Sequence, residues 1–290
     1  MASNDTWLAQ VEEEALDPEL PIIDTHHHLW DHRKGRVDRR YLMDELQCDL
    51  QTGHNIVATV FIECTAMYWA EGPELLKPVG EVEFVNGIAA MAASGLYGAI
   101  QVAAGIMGFA ELQQGSRVKE TLEAQMAAAP DRFRGIRRTG AWDPDPRITR
   151  AKLPGMFLNH LGGIAGIGAY QGRQDEIFVE WSQSIAALAE CPNIVMKLGG
   201  INMDYSGFGW HENPKPPSSE VLCQVTRRYY ETTIAEFGVD RCMFESNFPV
   251  DKISCSYQVL WNAFKRITAN YSDHERGKLF HDNAKRVYRL

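Results

Sequence analysis

The chain has 290 residues, 45% of them hydrophobic, which is enough for a sizeable core in one large α/β domain or two small ones. A formal charge of −9 and a pI near 5.5 argue against a nucleic-acid partner or an anionic membrane surface. Six cysteines, at 48, 64, 191, 223, 242 and 255, form no C-x-x-C pair, which reads as reduced cytosolic thiols and not a disulfide framework.

Residues 1–20 are acidic and lack the apolar run of a signal peptide, so they read as an N-terminal extension of a cytoplasmic protein. Short apolar runs suited to buried strands then follow in order. They are "PIID" at 21–24, "IVATVFIE" at 56–63, "GAIQVAAGI" at 98–106, "FRGIRR" at 133–138, "MFLNH" at 156–160, "NIVMKLGG" at 193–200 and "RCMFESNF" at 241–248. Residues 84–110 carry no charge, but their Gly and Ala content and three polar interruptions fit a buried helix followed by a strand better than a membrane span. Helical patterns cover 117–129, 176–189 and 220–237, the last closed by Gly238. Ser272 and Glu275 make a capping-box pattern for a final helix whose apolar stripe is Leu279, Phe280, Val287 and Tyr288. Strand–helix alternation at this length means a parallel sheet, open or closed into a TIM-like (β/α)8 barrel. Only seven strands are countable. Residues 139–155 leave room for a crossover but not for a whole βα unit, so one unit is expected to be lacking there.

The first strand ends in three histidines. Residues two apart share a strand face, so Asp24, His26 and His28 look one way and His27 the other. Imidazoles at H-x-H spacing on the mouth of a barrel can hold one divalent metal or hydrogen-bond a substrate's oxygens. Other polar residues stand at comparable strand ends: Glu63, Arg137, Arg138, His160, Lys197, Glu245 and Asn247. Glu63 and Lys197 are equally readable as halves of structural ion pairs, since charges in a barrel interior persist only when paired. "GIGAYQG" at 166–172 misses the dinucleotide-binding spacing and reads as a loop over the mouth, while His211 reads as an exposed loop residue.

The segments "IIDTHHHLWD", "FRGIRR", "LNHLGG", "NIVMKLGG", "DRCMFESNFPVDK" and "LFHDNAKRVYRL" lie in order along nearly the whole chain. Together they resemble the amidohydrolase superfamily, in its amidohydrolase-related branch of sugar and pyrone-dicarboxylate lactonases. The resemblance implies a single barrel domain over 1–290 that hydrolyses a lactone or related cyclic ester. It matches His26, His28 and His160 to metal ligands, with zinc the expected divalent metal, although some lactonases of this branch resemble metal-free enzymes. A metal-dependent decarboxylase of an aromatic acid is the alternative chemistry, and a catalytically silent truncated homologue a third reading. Two departures stand out: the helix and strand between the "GIR" and "NH" motifs are missing, and Asn247 replaces the aspartate that ends the last strand. Glu245, one pleat deeper than Asn247, reads either as the substitute proton acceptor or ligand, with partial burial expected to raise its pKa, or as half of a salt bridge to Lys197 or Arg137. Asp251 is a weaker candidate. Arg137 or Arg138 would meet oxyanion charge or a substrate carboxylate. The partner is a small molecule, with neither nucleic acid nor membrane, and a homodimer is left open.

Overall fold

The computed structural model describes residues 4–33, 39–138, 145 and 159–290. Among these, six strands form: β1 (Ile22–His27), β2 (Ile56–Ile62), β3 (Gln101–Gly108), β4 (Phe133–Ile136), β5 (Met196–Leu198) and β6 (Cys242–Phe244). All pair in parallel, β1 to β4 in sequence order and β5 with β6. A bridge between His27 and Phe248, with the Asn247 N–H donating to the His26 carbonyl at 2.8 Å, joins β6 to β1. The spatial row is therefore β4-β3-β2-β1-β6-β5. The outer strands of this row flank the break at 139–158, so the expected missing unit lies outside the described residues.

Helices follow the strands as the sequence pattern requires. They are α1 (Asp5–Leu8), α2 (Met43–Leu50), α3 (Val79–Ala93), α4 (Val118–Ala128), α5 (Gln174–Ala189), α6 (Ser219–Phe237), α7 (Tyr257–Ile267), α8 (Asp273–Gly277) and α9 (Asn283–Tyr288). The uncharged stretch resolves into part of α3 and all of β3, and no helix among the described residues is long and apolar enough to cross a membrane. Ser218 caps α6 by accepting from Val221 N–H. Ser272 and Glu275 form the capping box of α8, which runs through a π turn at 278–282 into α9.

Alternation along the strands sorts side chains into two layers. Ile22, Phe61, Met196, Leu198, Cys242 and Phe244 pack outward against the helices. Ile23, Ala58, Val60, Ile62 and Met243 pack on the other face with Ala284 and Tyr288 of α9. Glu245 follows Met243 by two, on that inner face, and Lys197 stands opposite Met243 in the β5–β6 ladder. The apolar floor thus gives way to charged side chains at the strands' C-terminal ends. The expected seventh strand differs: 156–158 lie outside the described residues, and His160 opens a short 3-10 turn, His160–Gly162, with itself and Leu161 at positive φ. Residues before α2 are tied down from outside, Lys265 donating to the Leu16 and Asp17 carbonyls and Asn262 Oδ1 accepting from Leu16 N–H.

Candidate active site

The histidine run divides as the period of two demands. His27 turns away and meets Thr59 Oγ1 at 2.9 Å, whereas the Nε2 atoms of His26 and His28 approach to 3.2 Å. Asp24 does not share their face as the alternation predicted: the β1–β2 register shifts between Asp24 and His27, and Asp24 accepts instead from the N–H and hydroxyl of Ser246 and from Tyr257 at 3.0 Å, tying β1 to the segment after β6 and to α7. This anchoring role was not legible in the sequence, because Ser246 and Tyr257 lie more than two hundred positions away.

Glu245 is the hub. It is fully buried, and its Oε2 lies 2.8 Å from His26 Nδ1 and 2.7 Å from Lys197 Nζ. Its Oε1 lies 2.6 Å from His160 Nδ1 and accepts the His160 N–H at 3.1 Å. Burial by itself would push this carboxyl up, but Lys197, His160 and His26 prevail and hold it well below the usual carboxylate range. This corrects the expectation of a raised pKa. Glu245 is an ionised carboxylate whose lone pairs are all engaged, and it orients two imidazoles instead of reaching for a proton. Lys197 and Glu63 take their structural-pair readings, Lys197 on Glu245 and Glu63 on Arg137 at 2.8 Å.

The hydrogen-bond partners fix the tautomer of His28 and leave two for His26. His28 Nδ1 lies 2.8 Å from the Ile62 carbonyl, which can only accept, so Nδ1 holds the proton and Nε2 the lone pair. Burial, then Arg137, keeps that ring neutral far below its ordinary pKa. His26 has two choices at Nδ1. Donating to Glu245 leaves a second lone pair at Nε2, facing that of His28; accepting from Lys197, 2.8 Å away, places N–H there instead. Two lone pairs 3.2 Å apart repel unless a cation takes both. Nitrogens each about 2.0–2.1 Å from a tetrahedral zinc-class ion sit roughly 3.3 Å apart. With His26 in the first tautomer the residues fit a divalent metal, which His26 and His28 would hold, with Glu245 behind His26 as the group that fixes the ring. A second donor set, His26, His160 and Glu245, also converges within 4.8 Å. Each position has a cationic neighbour: Lys197 contacts His26 Nδ1 and Glu245 in that set, and Arg137 stands beside His26 Nε2 in the first.

Around this centre, Arg137 gives Nε to Glu63 Oε1 and a second N–H to the Glu63 carbonyl, and its Nη1 stands 3.4 Å from His26 Nε2. Arg138 turns to Glu111. Asn247, buried and at positive φ, donates Nδ2 to Asp251 Oδ1 at 2.7 Å. His211 sits apart beside Glu212. The glycines after β5 are part of the construction: a Cβ on Gly199 would strike Glu245, and one on Gly200, at φ 65, would overlap the His160 ring. "KLGG" was the available signal for this, readable only once its neighbours are known. Gly200→Ala should therefore displace His160 and cost about 1–3 kcal/mol from backbone strain alone, read as a lowered urea midpoint with activity lost.

Comparison with known proteins accords with this geometry. Residues 151–290 match the Amidohydrolase family model. An uncharacterized protein, y4mH, of Sinorhizobium fredii is 28% identical over 335 aligned positions, covering 94% of this chain and 99% of the relative. That span exceeds the 290 residues here, so the relative carries segments with no counterpart in this chain. An amidohydrolase from Burkholderia multivorans, solved with bound HEPES and, in another crystal form, with bound zinc, shares the fold at a TM-score of 0.67. It is 21% and 20% identical in the two forms, over 93% of this chain and 99% of that one. A probable 2-pyrone-4,6-dicarboxylic acid hydrolase from Acinetobacter baumannii does so at 0.50, with 12% identity over 93% and 99%. The likeness to these solved structures gives the chain a TIM-barrel α/β fold, and the family match covers residues 151–290.

Proposed function

We propose that this enzyme hydrolyses a lactone or related cyclic ester of a carboxylate-bearing small molecule. The observation that carries the reading is the meeting of His26, His28, His160 and Glu245 at the strand ends, with the Arg137 guanidinium alongside. His160 donates Nδ1–H to Glu245, so its acceptor nitrogen is Nε2, and burial depresses its pKa and keeps it neutral. In this reading His160 Nε2 takes a proton from water as the water oxygen bonds to the carbonyl carbon. The ring C–O bond then breaks, and the proton passes to the departing oxygen, giving a hydroxy acid. Glu245 steadies the imidazolium that forms, as a carboxylate does behind a catalytic histidine. Arg137 supplies positive charge for the carbonyl oxygen or for the substrate carboxylate. A divalent metal bound by His26 and His28 would add Lewis-acid polarisation of the carbonyl.

A panel of lactones monitored by acid release tests the reading, with carbon dioxide detection separating it from decarboxylation. Acid release without carbon dioxide is expected; carbon dioxide from aromatic acids would reverse the assignment. Metal analysis of the purified protein should find about one divalent ion per chain, and His28→Ala should lower its affinity by about 10²-fold or more, since the loss of even an outer-shell partner costs 10–100-fold. Full retention of metal by His28→Ala would move the ion to the set formed by His26, His160 and Glu245.

A further inference from the structure

Where Gln101 opens β3 and Phe133 opens β4, a cavity of about 500 Å³ lies between these strands, the end of α3, and Arg289 with Leu290. The strands run parallel, so this cavity and the residues at the strands' C-terminal ends, His26 and Arg137 among them, occupy opposite ends of the sheet. Ala92, Ile100 and Val102 give the cavity an apolar wall, and Arg132, Arg134 and Arg289 a cationic one. Arg132 donates Nη1–H to Asn86 Oδ1 at 2.9 Å, and Arg134 donates to the carbonyls of Tyr288, Phe133 and Arg289. All these acceptors are neutral. Asp131 also lines the cavity, yet none of the three guanidiniums is in an ion pair among the described residues. Burial, and then Arg289, pull Arg134 below its ordinary pKa, with Asp131 acting the other way. A guanidinium keeps its proton in a protein, so an anion relieves this repulsion where deprotonation cannot. The excess of positive charge is local, since the chain as a whole carries −9.

We propose that this cavity binds a small organic carboxylate, its apolar body against Ala92, Ile100 and Val102 and its carboxylate held by Arg132, Arg134 and Arg289. Planar guanidinium forks match the two oxygens of a carboxylate, and the volume falls in the range of small-molecule sites. A bare inorganic anion would leave the apolar wall against water, so the body of the ligand is part of the recognition. This site is separate from the mouth and stands whether or not the protein opens lactones.

Benzoate is the probe, titrated into the full chain labelled with carbon-13 at the alanine methyls. Ala93 and Ala104 line the cavity, and their NMR signals, assigned by their absence in Ala93→Ser and Ala104→Ser, should shift saturably. Arg289→Met and Arg132→Met should each raise the dissociation constant by about 10-fold or more, the worth of a lost charge-assisted hydrogen bond. Arg289 is exposed and its side chain makes no hydrogen bond among the described residues, so Arg289→Met should keep the wild-type urea midpoint. Arg137→Met, at the other end of the sheet, should leave these shifts intact. Benzyl alcohol keeps the ring without the charge, and inorganic phosphate the charge without the ring; each should bind about 10-fold or more weakly than benzoate. Equal binding of benzyl alcohol would reduce the cavity to an apolar hollow, and equal binding of phosphate to an unselective cationic patch. Unmoved Ala93 and Ala104 signals at saturating benzoate would leave no carboxylate site here. Each of these results overturns the proposal, as does benzoate binding that both arginine variants retain in full.

Discussion

Replacing Glu245 with Gln is expected to lower turnover by about 10³-fold or more and to destabilise the protein by about 3–5 kcal/mol. The carboxylate meets donors on every side: the His26 and His160 rings, the His160 N–H and the Lys197 ammonium. Gln has one acceptor oxygen and brings an NH2 group into a ring of donors, which leaves the buried Lys197 charge without a counter-charge. Urea unfolding reads the stability loss. Adding Lys197→Met to Glu245→Gln removes the stranded charge, and should return part of the stability without returning activity. The two losses have different origins, since activity depends on the imidazole tautomers that only an acceptor at 245 can impose. Wild-type turnover in Glu245→Gln would refute the orienting role and the tautomer assignments that rest on it.

The unfolding free energy should peak near neutral pH and fall on both sides, because two sets of buried groups act in opposite directions. Burial pulls His27 down to about 3 and, with Lys265 nearby, His54 to about 4; His26, His28 and His160 are also lowered. In the unfolded chain these rings bind protons below about pH 6.5 while the folded protein leaves them neutral, so stability is lost as pH falls through that range. Glu245, depressed when folded, adds a loss at still lower pH. The second set runs the other way. Burial raises Asp251 to about 8, burial and Glu63 raise Glu81 to about 8, and burial raises Asp24 to about 6. These carboxyls keep their protons in the folded protein above the unfolded value near 4, and the stability they confer disappears as pH rises to 8. Each uncompensated proton is worth about 1.4 kcal/mol per pH unit. Urea midpoints from pH 5 to 9, taken with a chelator present, should pass through a maximum between about 6 and 7.5. A monotonic rise across that range would mean that Asp251 and Glu81 are ionised in the folded protein.

The chain's own pattern was sufficient for much of this architecture. Alternating apolar runs and helical stripes located all six described strands and the helices α4, α5 and α6, and the capping box of Ser272 with Glu275 was readable from its spacing. Strand periodicity likewise placed His26 and His28 on one face and His27 on the other, because the side-chain period of a strand is set by backbone geometry alone. What a run of residues cannot encode is who meets whom across two hundred positions. Whether Glu245 would be a raised, proton-accepting acid or a saturated anion depended on Lys197 and His160, which arrive from other parts of the fold. The same holds for the space that Gly199 and Gly200 leave. Local sequence determines periodicity and capping through short-range sterics and hydrogen bonds. Protonation, tautomer and rotamer respond to burial and to neighbouring charge, and only the assembled tertiary structure supplies those.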